Sequence, residues 1–363
     1  MDPALPAPLL AADEALHGLY ERIAFSQYLN PANTAEARAA FRAGAEQPPF
    51  SYRPTEWAEE ELRGLDALEV PTDHPLASLL VEAIEGTRLY IDALRYRTPQ
   101  AFDVLARHSD WYPDADVLQA AREQVEEADK APFCIGATEL AEHLRRALLA
   151  RGLRDWRVEI DAVMSARVLV DGAKQLLRVN PRSRFKQRDI RKLVVHEVEV
   201  HAQRAANGRG QALKIFSTGL PGALETEEGL ALLAEERAGA SAPGWGWRQG
   251  LVVQAVEWAR EMSFRELHDA VVEAGAKNLA WGVATRLKRG LADPSLPGVY
   301  AKDVVYFTGR RKVRAWLNQG NPVDLLYVGK VGIHHPVRNW LKEGWVRPMP
   351  VPAVFQESQV AAG

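Results

Sequence analysis

Apolar residues recur at three- and four-residue steps between charges in "EEELRGLDALEV" (59–70), "PLASLLVEAIEGTRLYIDALRYRT" (75–98) and "DADVLQAAREQVEEAD" (114–129). That spacing predicts helices over most of the chain from Asp13 to Asp129. Pro-containing breaks at 47–54, 71–75 and 112–113 separate them. A further helix is expected within "KAPFCIGATELAEHLRRALLARGLRDW" (130–156), after which the texture changes. In "RVEIDAVMSARVLVDGAKQLLRVN" (157–180), Val, Ile and Leu runs flank Asp171-Gly172, a pair that tolerates positive φ and therefore predicts a hairpin. A small sheet thus precedes a second helical region, from 183 to about 290, and a mixed tail with a short strand expected at "DLLYVGK" (324–330). The chain divides on this pattern into an N-terminal helical region, 1–130, and a second region, 131–363.

Within the second region, residues 194–203 read "VVHEVEVHAQ", the zinc-peptidase signature H-E-x-x-H with one residue added between the histidines. A strand would send His196 and His201 to opposite faces, where they could not share an ion. Helix is favoured by context: 184–207 holds no Gly or Pro, Ser183 is an available N-cap, and Asn207-Gly208 is a C-terminal stop. In a regular α-helix residues five apart are separated by about 140°, against about 40° for residues four apart. A single π-turn absorbs the extra residue and restores roughly 50°. The spacing therefore predicts a local widening between His196 and His201, a distortion that needs a reason.

Zinc at a hydrolytic site takes three protein ligands and keeps one position for water, so a third donor is required. The segment "STGLPGALETEEGLALLAEE" (217–236) offers one. Thr226 is expected to cap a helix whose first turn carries Glu227 and Glu228, with Gly229 allowing close approach of a neighbour, and Glu228 is the chosen ligand. Glu197, beside the first histidine, is the expected general base, whereas Glu199 is expected to face solvent or support the site from outside.

Composition narrows the setting. With 363 residues, 47% apolar side chains and a net charge of -3, the chain can bury one large core or two modest ones, and broad nucleic-acid binding is not expected. The basic run "GRRKVR" (309–314) reads as a solvated face. No apolar run approaches the roughly 18 residues of a membrane span, and the opening "MDPALPAPLLAADEALHG" lacks a basic segment ahead of a hydrophobic one. The lone Cys134 forms no internal disulfide, fits a reducing cytoplasm, and is expected to be a small core residue. His334-His335 before Pro336 predicts a turn, and the tryptophans of "APGWGWRQG" (242–250) a packed loop.

His196-Glu197-x-x-x-His201, "NGRGQ" and "GLPGALETEEGLA" together resemble the QEGLA-motif family, also described as the tyrosine/phenylalanine carboxypeptidase domain, whose eukaryotic relatives are microtubule-associated tyrosine carboxypeptidases. The resemblance extends from "SQYLNPANTAEARAAF" and "PPFSYRP" through "LRVNPRSRF" to "KDVVYFTG" and "YVGKV". It implies a mainly helical α+β, zincin-like metallopeptidase with a small sheet beside the active-site helix. It also implies Zn2+ held by His196, His201 and Glu228, with Glu197 catalytic. Glu227 stands where the family label has Gln, which leaves two adjacent carboxylates in play, although the register of E-G-L-A favours Glu228. Tyr306 of "KDVVYFTG" is the candidate donor to a developing oxyanion. Arg182, Arg184, Lys302 and Arg310 are candidates to hold a substrate's terminal carboxylate, and the 166–180 hairpin to align its backbone. The expected reaction is release of a C-terminal Tyr or Phe from a peptide or protein in the cytoplasm, without nucleic-acid or membrane partners. The rival readings are an endopeptidase or aminopeptidase using the same centre, and a non-enzymatic regulatory or binding protein.

Overall fold

The structure, a computed structural model, describes residues 5–125, 129–161 and 166–356. The expected helices are present at Ala58–Asp66, Ala77–Tyr96, Ala115–Arg122 and Ala137–Ala150. Glu59, Glu60 and Glu61 fill the first turn of Ala58–Asp66, where the exposed N–H groups favour negative charge. Ala77–Tyr96 buries Leu80, Ile84, Ile91 and Leu94 on one face, and stops at Arg97 with φ 54°. These faces close on later parts of the chain. Leu16, Leu80 and Ile91 share a cluster with Val195, Phe216, Leu230 and Tyr327. Leu94 and Phe102 join Val256, Phe264 and Leu287 in a second.

The sheet has three strands, β1 (Arg157–Ile160), β2 (Val168–Asp171) and β3 (Leu176–Val179), in the order β1-β3-β2. β2 and β3 form the expected antiparallel hairpin, with Val168 opposite Val179, while β1 runs parallel to β3. The turn differs from the expectation. Its positive φ falls on Gln175 (48°) rather than on Asp171 or Gly172, because Asp171 Oδ1 accepts the Lys174 N–H at 3.1 Å and starts a longer loop. Gly172 fits a tight approach: a Cβ there would lie 3.0 Å from Ala205 Cβ, on the helix that carries the histidines. Leu177 and Val179 pack with Leu140, Leu144, Val198 and Ala202, so the sheet backs that helix.

The expected strand at 324–330 is absent; Val323–Tyr327 is a 3-10 turn. Its carbonyls are claimed by side chains before a ladder can form. Leu326 O accepts from Arg204 Nε (2.9 Å), Tyr327 O from Asn207 Nδ2 (2.6 Å), Val328 O from Gln211 Nε2 (2.7 Å) and Val331 O from Arg204 Nη2 (2.6 Å). A backbone satisfied this way has no need of a neighbouring strand.

A second buried cation does comparable work elsewhere. Lys288 is fully buried and its Nζ donates to the carbonyls of Ala259 (3.1 Å), Leu296 (3.0 Å) and Gly298 (2.8 Å), and also to Met262 O. Lys288→Met keeps the length of the side chain but strands these acceptors, each worth about 1–3 kcal/mol when left unpaired. We expect a loss of about 3 kcal/mol or more in urea denaturation. Unchanged stability would mean that water or a rearranged loop replaces the ammonium.

Candidate metal centre

The histidines lie on one continuous run of helix: α over Gln187–Leu193, π over Val194–Ala202 and α again over Gln203–Arg209. The π segment coincides with the widening that the five-residue spacing requires. The run starts later than expected. Lys186, not Ser183, is the N-cap, and Asp189 Oδ2 accepts its N–H at 3.0 Å. It also ends later, since Asn207 and Gly208 remain in the last turn. A Cβ on Gly208 would meet Phe216 O at 2.0 Å, so that glycine serves close packing rather than a stop. Val195 and Val200 face one apolar cluster, Val198 and Ala202 another. Packing on both sides offsets the weaker π hydrogen bonding and leaves the imidazoles facing a cleft. Their ring centroids are 4.8 Å apart, and ligand atoms of His196, Glu197 and His201 lie within 4.8 Å of one another.

The third donor comes from the helix Ala223–Arg237. It begins at Gly222 (φ 69°), one turn before the expected cap. Thr226 is instead buried within it and accepts the Ile333 N–H at 3.0 Å, which puts Glu227 and Glu228 in the second turn. Glu228 Oε2 lies 3.6 Å from His196 Nε2 and 3.7 Å from His201 Nε2. It is buried and has no hydrogen-bond partner. Both Nδ1 atoms are already engaged, His196 with Glu235 Oε1 and His201 with Glu227 Oε1, each at 2.7 Å. The free nitrogens of both rings therefore turn toward one orphaned carboxylate oxygen.

This donor set fits a divalent cation. Tetrahedral zinc with ligands at about 2.0–2.2 Å separates its donors by about 3.3–3.5 Å, close to the spacing found. The field agrees. Burial alone would lower the pKa of His196, yet Glu197, Glu228 and Glu235 raise it well above the imidazole norm, so the pocket attracts positive charge. Of the two adjacent glutamates, the geometry points Glu228 inward. Glu227 instead stands outside His201, between it and Lys330 Nζ at 3.1 Å.

A cleft of about 430 Å³ opens over these residues, and Tyr306 and Lys302 line it. Tyr306 lies in the first turn of the helix Val305–Asn318, whose Gly309 packs on Gly229 of the glutamate helix. Glu228 and burial together raise the Tyr306 pKa well above its usual value, so its hydroxyl keeps its proton. Lys302 sits on the 3-10 turn Ala301–Val304. Asp303, beside it, binds Arg286 through two hydrogen bonds (2.6 and 2.9 Å) and Arg289 at 3.4 Å, which anchors the turn. The Lys302 side chain makes no hydrogen bond or ion pair with any described residue, and its amine lines the cleft within the field of Glu228. β2 closes one wall with Val168, Leu169 and Val170, and among the described residues it pairs only with β3, leaving an open edge.

The other three candidate cations do not reach the cleft. Arg182 and Arg184 are exposed on the loop after β3, which is tied down by buried Phe185 bridging to Ile135. Arg310 is drawn to Glu236 and lies over the Trp245 ring, 5.0 Å from its centroid. The basic run 309–314 is accordingly more than a solvated face: Arg310 and Arg314 pair with Glu236, and Lys312 with Glu225 at 3.0 Å. Glu199 pairs with Arg151 and does not line the cleft. Cys134 is exposed rather than a core residue, the core position going to its neighbour Ile135. Trp245 and Trp247 begin the helix Trp245–Ala259 rather than punctuating a loop. His334-His335 form the expected turn.

Sequence reasoning missed Glu235, Lys330 and the Asp303 anchor. A signal for Glu235 was present, since it follows Glu228 by seven residues across the apolar stretch of "EGLALLAE" and so returns to the same face of the helix.

The class that emerges is a mainly helical α+β protein built around a candidate two-histidine, one-glutamate centre, with the histidines on a π-widened helix and the glutamate on the helix packed against it. More particularly, the chain belongs to the family described as microtubule-associated tyrosine carboxypeptidase, whose family model matches residues 40–362. It is 30% identical over 154 residues to microtubule-associated tyrosine carboxypeptidase 1 of Rattus norvegicus, a match covering 41% of this chain and 32% of that protein. The Mus musculus protein of the same name is 30% identical over 177 residues (47% and 37%), and that of Homo sapiens 31% over 154 residues (41% and 32%). These matches thus span about a third of the length of the curated relatives. No helix among the described residues is long and apolar enough to cross a membrane.

Proposed function

We propose that this protein is a zinc-dependent carboxypeptidase that removes a C-terminal Tyr or Phe from a peptide or protein. The observation that carries the reading is the convergence of His196 Nε2 and His201 Nε2 on the orphaned Oε2 of Glu228, in a cleft that also holds an unpaired lysine. His196, His201 and Glu228 would hold the ion. When bound, it supplies Lewis acidity at near-neutral pH.

The chain's own groups do the rest. Glu197 takes a proton from the attacking water and later returns it to the leaving amine. The Tyr306 hydroxyl donates to the scissile carbonyl oxygen as negative charge develops there. Lys302 pairs with the substrate's terminal carboxylate, and the open edge of β2 aligns the substrate backbone. A second cavity, of about 680 Å³, adjoins the cleft and shares Tyr90, Leu224, Tyr300 and Lys302 with it. Tyr20, Phe25 and Trp111 also line it, an apolar and aromatic surface suited to a terminal aromatic side chain. Burying a Phe-sized group is worth about 1.5–3 kcal/mol, enough to prefer aromatic ends over small ones. The names of the relatives support the same substrate end.

The test is mass-spectrometric analysis of a peptide library treated with zinc-loaded protein. Terminal Tyr or Phe is expected to be lost from free C-termini and retained when the end is amidated. Lys302→Met is expected to lower kcat/KM by about 10- to 100-fold, the worth of a hydrogen bond to a charged group. Equal cleavage of amidated peptides would replace this reading with an endopeptidase.

A further inference from the structure

Three glutamates of one helix meet the two histidines, and only one of them points between the rings. Glu228 faces both Nε2 atoms, whereas Glu227 and Glu235 each take one Nδ1 from behind, at 2.7 Å. Both outer carboxylates are buried, Glu235 with 1% of its side chain exposed and Glu227 with 6%. An ionised carboxylate in such a place is costly unless cations accompany it. They do. Lys330 Nζ lies 3.1 Å and Arg204 Nη1 3.6 Å from Glu227, and Lys192 Nζ lies 3.6 Å from Glu235. Arg204 is itself fully buried and held by the carbonyls of Leu326 and Val331.

A carboxylate only accepts hydrogen bonds, so it selects the ring form with its proton on Nδ1 and leaves the Nε2 lone pair free for a cation. A glutamine in the same place could present either its oxygen or its NH2 group and would not select. One fully buried cation, Arg204, and two half-buried ones, Lys330 and Lys192, keep these two carboxylates ionised, an arrangement that packing alone does not require. We infer that Glu227 and Glu235 are positioning residues which lock both imidazoles into the cation-binding tautomer, with Lys330 and Arg204 serving Glu227 and Lys192 serving Glu235. The inference rests on the metal reading above and goes beyond it in assigning the affinity of the centre to residues that do not touch the ion.

The experiment compares full-length parent, Glu227→Gln and Glu235→Gln. Zinc affinity is read by chelator competition, the visible spectrum after cobalt substitution reports the geometry of the centre, and the melting temperature is taken without metal. Each variant is expected to bind zinc about 10- to 100-fold more weakly, the usual cost of losing such an outer partner. The cobalt bands are expected to shift in both, while the metal-free proteins melt close to the parent. Should a Gln variant fold poorly, Lys330→Met, which weakens the charge on Glu227 from a different element, carries the same expectation at smaller size. Tight zinc binding by the parent with affinities and spectra unaltered in the variants overturns this inference alone. Failure of the parent to bind zinc stoichiometrically removes the metal reading and this inference with it.

Discussion

Glu197→Gln is expected to abolish peptide hydrolysis, with kcat falling by about 10²- to 10⁴-fold, the contribution of a positioned acid–base group. Glu197 is buried, neighbours His196 on the π segment, and lies with both histidines inside the 4.8 Å cluster that lines the cleft. The amide has the same shape as the carboxylate, so packing of the helix is preserved. What disappears is the capacity to take a proton from water and hand it on. Because His196, His201 and Glu228 are untouched, zinc affinity and melting temperature should stay near those of the parent. A single-turnover assay on a peptide ending in Tyr separates the chemical step from binding. Full activity in the variant would remove Glu197 from the reaction; loss of zinc would make it a ligand instead of a base.

The second large effect concerns folding. Gly309→Ala in the Val305–Asn318 helix would place a Cβ 2.0 Å from Glu225 O, and the reciprocal Cβ on Gly229 would sit 2.3 Å from the Gly309 carbonyl carbon. Helix propensity favours alanine over glycine by about 1 kcal/mol. Against this stands a collision with backbone, which no rotamer change relieves, and overpacking of that kind costs about 1–3 kcal/mol and sometimes more. The collision wins. We expect a net loss of about 2 kcal/mol in urea denaturation, together with reduced activity, since prising the helices apart moves Tyr306 away from Glu228. A stable, fully active Gly309→Ala protein would show that the crossing can relax and that it does not set the position of Tyr306.

How much of this was legible in the residue order can be argued from particular places. The π segment was, because a five-residue step between two histidines that must share an ion leaves few helical solutions, and the count is covalent. The β2–β3 hairpin was, from the apolar runs on either side of Asp171-Gly172. The choice of Glu228 over Glu227 was recoverable only as a register, and its reason is spatial: one carboxylate falls between two rings, while the other falls behind one of them. The helix starts at 186 and 222 were misread because Ser183 and Thr226 are good caps in isolation. A local capping box between Lys186 and Asp189 decided the first, and a tertiary demand, the Ile333 N–H on Thr226, the second.

The 324–330 segment shows the same limit more sharply. Its residues favour a strand, but the carbonyls that a strand would pair are taken by Arg204, Asn207 and Gln211 from more than 100 positions away. Likewise, four cations were equally good candidates for the substrate carboxylate. Only the fold shows that Arg310 is consumed by Glu236, that Arg182 and Arg184 look outward, and that Lys302 lines the cleft without an ion pair to any described residue.

By itself, then, the sequence determined the helical content, the small sheet, the widened helix and the short list of donors, because each follows from local periodicity or from a fixed number of bonds between residues. The tertiary structure alone decided which carboxylate faces inward, which cation is left unpaired, and which side chains hold the histidines from behind. Those outcomes depend on competition among groups far apart in the chain for the same hydrogen bonds and charges, and no local pattern records who wins.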